Sequence, residues 1–92
     1  MIDLAAIEPG FSPGRVVATP AFLERGIDPS PYITRHVRGD WGEVDAEDWK
    51  QNDDAVEGGF RIFSVYRSGE TTFWIITEAD RSSTCVLLPT DY

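Results

Sequence analysis

The chain has 92 residues, 41% of them hydrophobic and 12% aromatic, and a formal net charge of −8 from sixteen acids against eight Lys and Arg. That size supports one modest domain, burying roughly 60–68% of the surface an unfolded chain exposes, and the composition is too apolar for a disordered segment. The negative balance argues against direct contact with nucleic acid or anionic lipid, which are themselves polyanions, and no apolar run approaches the ~20 residues that span a bilayer.

Residues 1–14 read as a tail or extended lead-in, punctuated by Pro9-Gly10 and Ser12-Pro13-Gly14. Acids in Met1 to Glu8 stand where a signal peptide carries bases, so a cytoplasmic protein is expected. A single cysteine, Cys85, forms no internal disulfide. Arg15 to Ala18 suit a short strand. Thr19-Pro20 then supplies an N-cap followed by proline at the first helical position, predicting a helix from Ala21 to Arg25 that ends at Gly26. Asp28-Pro29-Ser30-Pro31 opens a second helix, with Tyr32, Ile33, His36 and Val37 on one face and Gly39 as its stop. A third helix starts after Asp45 and runs to about Glu57, before Gly58-Gly59. On it, Trp49, Asn52 and Val56 share one face. Glu47, Lys50, Asp53, Asp54 and Glu57 share the other.

The pattern then changes to strands. Phe60 to Arg67, Thr71 to Glu78 and Thr84 to Leu88 are rich in aromatic and β-branched residues, and short polar turns separate them. The expectation is an α+β domain over residues 15–92. Two or three short N-terminal helices cover an antiparallel three-stranded meander, and a fourth short strand lies near residues 15–18.

The acids are concentrated. Residues 39–57 hold Asp40, Glu43, Asp45, Glu47, Asp48, Asp53, Asp54 and Glu57 against Lys50 alone, a net of −7, while the rest of the chain is close to neutral. One reading is a solvated helix face whose early acids suit the helix dipole. The other is a docking surface for a basic partner. Trp49 is expected in the core beside Val56. Trp41, in a loop between two glycines, is the better candidate for exposure at an interface, although a loop tryptophan more often plugs the side of a small core. Imitation of DNA is limited by density. A helix from Ala46 to Glu57 is about 18 Å long and carries five acids and one lysine, where duplex DNA carries about eleven negative charges.

Catalytic and metal chemistry find little support. His36 is the sole histidine and shares a face with Tyr32 and Ile33, which suits a histidine at the edge of the core. Cys85 lies mid-strand, where a thiol acts as a small hydrophobe, and a Cys85–His36 pair is required by nothing in the sequence. One Cys and one His are too few for a zinc site, and the acids after Asp45 lack the glycine and spacing of a calcium loop. No cofactor, metal or catalytic residue is expected. Glu78 to Thr84 reads as a polar turn in which Arg81 pairs with Glu78 or Asp80, or else as a second contact loop.

Gly39-Asp40-Trp41-Gly42 and Thr77-Glu78-Ala79-Asp80-Arg81-Ser82, with the acids between them and the ending through Pro89 to Tyr92, give the chain a recognisable signature. Over residues 15–92 it resembles a family of short uncharacterised bacterial proteins carried on plasmids, integrated elements and prophages. The resemblance implies a mobile-element setting, where small acidic proteins block host defences, and brings no catalytic residues with it. The leading expectation is therefore an anti-CRISPR-like inhibitor that occupies a basic surface of a protein partner, such as a CRISPR effector subunit. Asp40, Trp41, Glu43, Glu47, Asp54 and Glu57 would form the contact. Neither nucleic acid nor membrane is an expected partner, and a monomer is favoured. The alternatives are an accessory module that self-assembles through its sheet, or a small enzyme using His36 or the Glu78–Arg81 cluster.

Overall fold

A computed structural model describes residues 10–92, so the first nine residues of the expected lead-in lie outside the described residues. The elements follow in the order β1 (Arg15–Ala18), α1 (Pro20–Leu23), α2 (Ser30–Val37), α3 (Ala46–Gly58), β2 (Ile62–Ser68), β3 (Thr71–Thr77) and β4 (Ser83–Leu87), and a 3-10 turn, Pro89–Asp91, closes the chain. The fold is the α+β arrangement that the residue pattern predicts.

Local chemistry starts and stops the helices. The hydroxyl of Thr19 accepts from the Phe22 amide and Pro20 occupies the first turn of α1. The carboxylate of Asp45 accepts from the Asp48 amide at 2.8 Å, capping α3. That helix ends where Gly59 turns left-handed at φ 73°.

The sheet runs β1-β4-β3-β2. β2, β3 and β4 form the expected antiparallel meander, with Phe63 opposite Ile76 and Ile76 opposite Cys85. β1 makes the sheet mixed. It pairs parallel to β4, setting Val16 beside Thr84 and Ala18 beside Val86.

Strand alternation divides the sheet into two faces. Ser64, Tyr66, Phe73, Ile75 and Val86 point to the helices. Beneath α1 and α2, the four apolar ones join Phe22 and Leu88 in one core cluster. Under α3 lies a second cluster of Phe11, Trp41, Ala55 and Ile62, flanked by Trp49 and Val56. Phe11 brings residues of the lead-in into the core, and Gly10 is tied down by donating to the Val37 carbonyl at 2.6 Å. Each fully buried aromatic is worth about 2–3 kcal/mol in transfer alone. The opposite face carries Phe63, Val65, Trp74 and Cys85, all half-buried, with Tyr92 folding back onto Trp74 at 5.7 Å between ring centroids.

The two edges of the sheet differ. At β2, the Asn52 side chain donates to the Phe63 carbonyl and accepts from the Phe63 amide, at 2.7 and 3.1 Å. Two residues on, the Val65 amide donates to the Trp41 carbonyl and the Val65 carbonyl accepts from the Glu43 amide. That edge is closed to further strands. At β1, Val16 and Val17 are exposed.

Candidate functional site

The thirteen residues of α3 set the geometry of the acidic segment. At 100° per residue, Trp49, Asn52, Ala55 and Val56 turn inward, where Asn52 and Ala55 are buried. The same rotation puts Glu47, Lys50, Asp54 and Glu57 in one outward stripe about 15 Å long. All four are exposed. Lys50 reaches Asp54 one turn away at 3.3 Å, an exposed pair that contributes little energy and neutralises part of the stripe. The stripe thus keeps Glu47 and Glu57 at its ends as carboxylates outside any ion pair among the described residues.

Two of the expected contact residues are built into the fold. Trp41 is fully buried, which corrects the expectation that it lies exposed in a loop. Its ring stacks on Phe11 at 6.1 Å and meets the His36 ring edge-on at 5.7 Å. The indole N–H donates to the Asp53 carboxylate at 2.9 Å, so its one polar atom is satisfied. The cause lies in the flanking glycines. Gly39 and Gly42 take φ of 87° and 76°, folding the loop back onto the β2 edge, and a Cβ on Gly42 would collide with the Val65 carbonyl.

Asp40 is engaged by its own chain. Arg35 grips it through Nε at 2.7 Å and a terminal guanidinium nitrogen at 3.3 Å, and the Gly42 amide also donates to it. The Arg35 contact holds the Asp40 carboxyl below its ordinary range. The Arg35 guanidinium also lies 4.8 Å from the centroid of the Tyr66 ring, and the Tyr66 hydroxyl donates to the Asp40 backbone carbonyl at 2.6 Å. Glu43 is exposed but lines a separate groove with Arg35, Tyr66 and Arg67, of about 450 Å³. Of the six expected contact residues, Glu47, Asp54 and Glu57 therefore share a surface, and Asp40, Trp41 and Glu43 do not join it.

A second groove, of about 430 Å³, borders the helix. Asp48, Gln51, Asn52, Asp54 and Ala55 of α3 form one wall, and Phe60, Arg61 and Phe63 the other. Phe60 is 65% exposed. The residue pattern places Phe60 in a strand, but that strand starts at Ile62 and Phe60 precedes it as an exposed aromatic. The signal available was a large aromatic directly after a helix-terminating Gly-Gly pair.

His36 occupies the seam between the two core clusters. It is fully buried, with Nδ1 at 2.5 Å from the Ser64 hydroxyl and Nε2 at 2.8 Å from that of Thr77. Thr77 lies 2.7 Å from the Thr84 hydroxyl, which donates to the Pro13 carbonyl at 2.7 Å. A carbonyl only accepts, so this last bond orders the whole series. Thr84 spends its proton on Pro13 and accepts from Thr77. Thr77 then accepts from Nε2–H, and Nδ1 accepts from Ser64. Both ring nitrogens are engaged by hydroxyls. Burial, with a lesser contribution from Arg81, lowers the imidazole to about 3 and keeps it neutral. Cys85 lies on the other face of the sheet, where burial raises its thiol, and its sulfur contacts a backbone carbonyl. The two do not meet.

Arg81 departs from the expected turn pairing. The Glu78 carboxylate pairs with Arg61 at 3.4 Å instead. Arg81, at φ 60°, aims its guanidinium at backbone carbonyls: Phe60 at 2.6 Å and Ala55 at 2.8 Å, with Glu78 and Ala79 farther off. It thereby caps the carbonyl end of α3, where a cation also suits the dipole. The rest of the turn follows expectation, with Asp80 accepting from the Ser82 amide.

Among the described residues, no three His, Cys, Asp or Glu come together as a metal cluster, no buried side-chain nitrogen or oxygen lacks a partner, and no helix is long and apolar enough to cross a membrane. Comparison with protein families, with curated proteins and with solved structures finds no match to this chain.

Proposed function

We propose that the chain is a non-catalytic binding protein that docks the outward stripe of α3 against a basic surface of a protein partner. The observation that carries this reading is the co-facial exposure of Glu47, Asp54 and Glu57 on one rigid helix. Charges ordered this way steer a cationic surface into register before close contact forms. A basic surface of that kind commonly serves to bind nucleic acid. Together with the mobile-element resemblance, this makes an anti-CRISPR-like inhibitor our reading: the helix would compete for a nucleic-acid channel on a defence complex. The engagement of both His36 nitrogens in the core supports a binding role over an enzymatic one.

The test is the triple variant Glu47→Lys, Asp54→Lys and Glu57→Lys, assayed for inhibition of a CRISPR interference complex. The expected result is inhibition by the wild type and at least a tenfold loss in the variant. Full inhibition by a folded variant rejects this surface. An inert wild type rejects the inhibitory function.

A second reading, self-assembly through the sheet, rests on the exposed Val16 and Val17 at the open β1 edge. Light scattering over a hundredfold concentration range decides it, since a constant monomer mass removes it.

A further inference from the structure

The groove between α3 and the chain entering β2 has a different character from the helix stripe beside it. Its apolar lining comes from Ala55, which is buried, from Phe63, half-buried against Trp74 at 4.9 Å between ring centroids, and from Phe60, which stands largely in solvent. The α3 wall also carries Asp48 and Asp54, with Gln51 between them in sequence. The one cation in the lining, Arg61, is turned to other tasks. It pairs with Glu78 at 3.4 Å and donates to the Tyr92 hydroxyl at 2.8 Å, with its guanidinium 5.6 Å from the centroid of that ring.

Apolar side chains and carboxylates lining one groove match one kind of side chain: a long methylene stem ending in a cation. About 430 Å³ lies within the range of small binding pockets, enough for one such side chain and its neighbours. Between the two candidates, the lining discriminates. A guanidinium is planar and weakly hydrated, stacks on an aromatic face and donates two parallel bonds to a carboxylate. An ammonium is compact, keeps its water and cannot stack. Phe60 offers the face and Asp48 the carboxylate. We propose that this groove is an arginine-recognition pocket, taking an arginine side chain from the basic partner that the neighbouring helix stripe attracts. The inference rests on the docking role proposed for α3 and deepens it: the stripe supplies long-range attraction, and the groove supplies the anchor that fixes position.

The two parts separate in one experiment. The isotopically labelled protein is titrated with nona-arginine and, in parallel, with nona-lysine, and amide shifts are followed by NMR at 150 mM salt. The expected result is at least threefold tighter binding of the arginine peptide, with the largest shifts at Gln51, Asn52, Phe60 and Arg61. The double variant Phe60→Ala and Asp48→Asn should abolish that preference, bringing the two peptides to the same affinity. Both residues are exposed, and a thermal melt checks that the variant is folded. Equal binding of the two peptides, with shifts confined to the outward face of α3, overturns the pocket and leaves the acidic docking surface standing. Absence of binding by either peptide overturns both. Groove shifts that grow with protein concentration alone put a second copy of the chain there and overturn the arginine assignment.

Discussion

Nε2 of His36 donates to the Thr77 hydroxyl at 2.8 Å in a part of the molecule that solvent does not reach. The companion bond, in which Nδ1 accepts from the Ser64 hydroxyl, requires a neutral ring, and the imidazole falls from its ordinary 6.5 to about 3, mainly through burial. The folded value lies below the unfolded one. The stability contributed by the neutral ring is therefore fully present above pH 6.5 and is lost as pH falls from 6.5 towards 3. By pH 4.5 the loss should reach about 2–3 kcal/mol. Asp28, Asp40 and Asp80 have lowered carboxyl values, so their contributions are lost only below about pH 4. Urea unfolding at pH 7.5, 6 and 4.5 checks this. In His36→Gln the profile over that range should flatten, at a cost of about 1–3 kcal/mol at neutral pH.

Trp41 should behave as a core residue. Trp41→Ala is expected to cost about 3–5 kcal/mol, through lost burial and a cavity between Phe11, His36 and Ile62. Asp53→Ala removes only the acceptor of the indole N–H, and should cost about 1–2 kcal/mol. Denaturant midpoints of both variants separate these values. A Trp41→Ala protein as stable as the wild type would return the residue to the surface.

Two glycines with similar backbone angles should respond differently to alanine. At Gly59, φ is 73° and a Cβ meets nothing within 4 Å, so Gly59→Ala should cost about 1–2 kcal/mol of left-handed strain alone. At Gly42 the same strain is joined by collision with the Val65 carbonyl, and the loop must leave the β2 edge. Gly42→Ala should cost at least twice as much in thermal melts, with faster hydrogen exchange at Glu43 and Val65.

Arg81→Lys keeps the charge but loses the fork that reaches Ala55 and Phe60 together. The expected effect is a loss of about 1–2 kcal/mol, with exchange accelerating at residues 56–60 ahead of the strands. Unchanged exchange there would mean that Gly59 terminates α3 without help.

The helices were legible because their signals are local. Thr19-Pro20, Asp45 and Gly59 each act within three residues of where they stand. The outward stripe of α3 was equally legible, because helical periodicity alone sorts Glu47, Asp54 and Glu57 from Trp49 and Asn52. The relationships that escaped cross the chain. β1 pairs with β4 about seventy residues away, and Arg81 reaches twenty-six residues back to Ala55. The burial of Trp41 has a physical reason. A tryptophan flanked by glycines reads as a loose loop, yet those glycines supply the left-handed turns that seat the ring. Gly39-Asp40-Trp41-Gly42 and Thr77 to Ser82, the two most distinctive stretches of the sequence, prove to be architectural. One seats Trp41 on the β2 edge, and the other contributes Thr77 to the polar seam and Arg81 to the end of α3.

The Pro13 carbonyl stands at the end of that seam, and its influence runs backwards through four side chains. It obliges Thr84 to give up its hydrogen outward, which leaves every donor upstream with one permitted direction. A chain begun at Arg15 would lose that terminus, together with Phe11 from the core. Thr84 would then be at liberty to point either way, and the imidazole at the heart of the domain would be free to exchange one tautomer for the other.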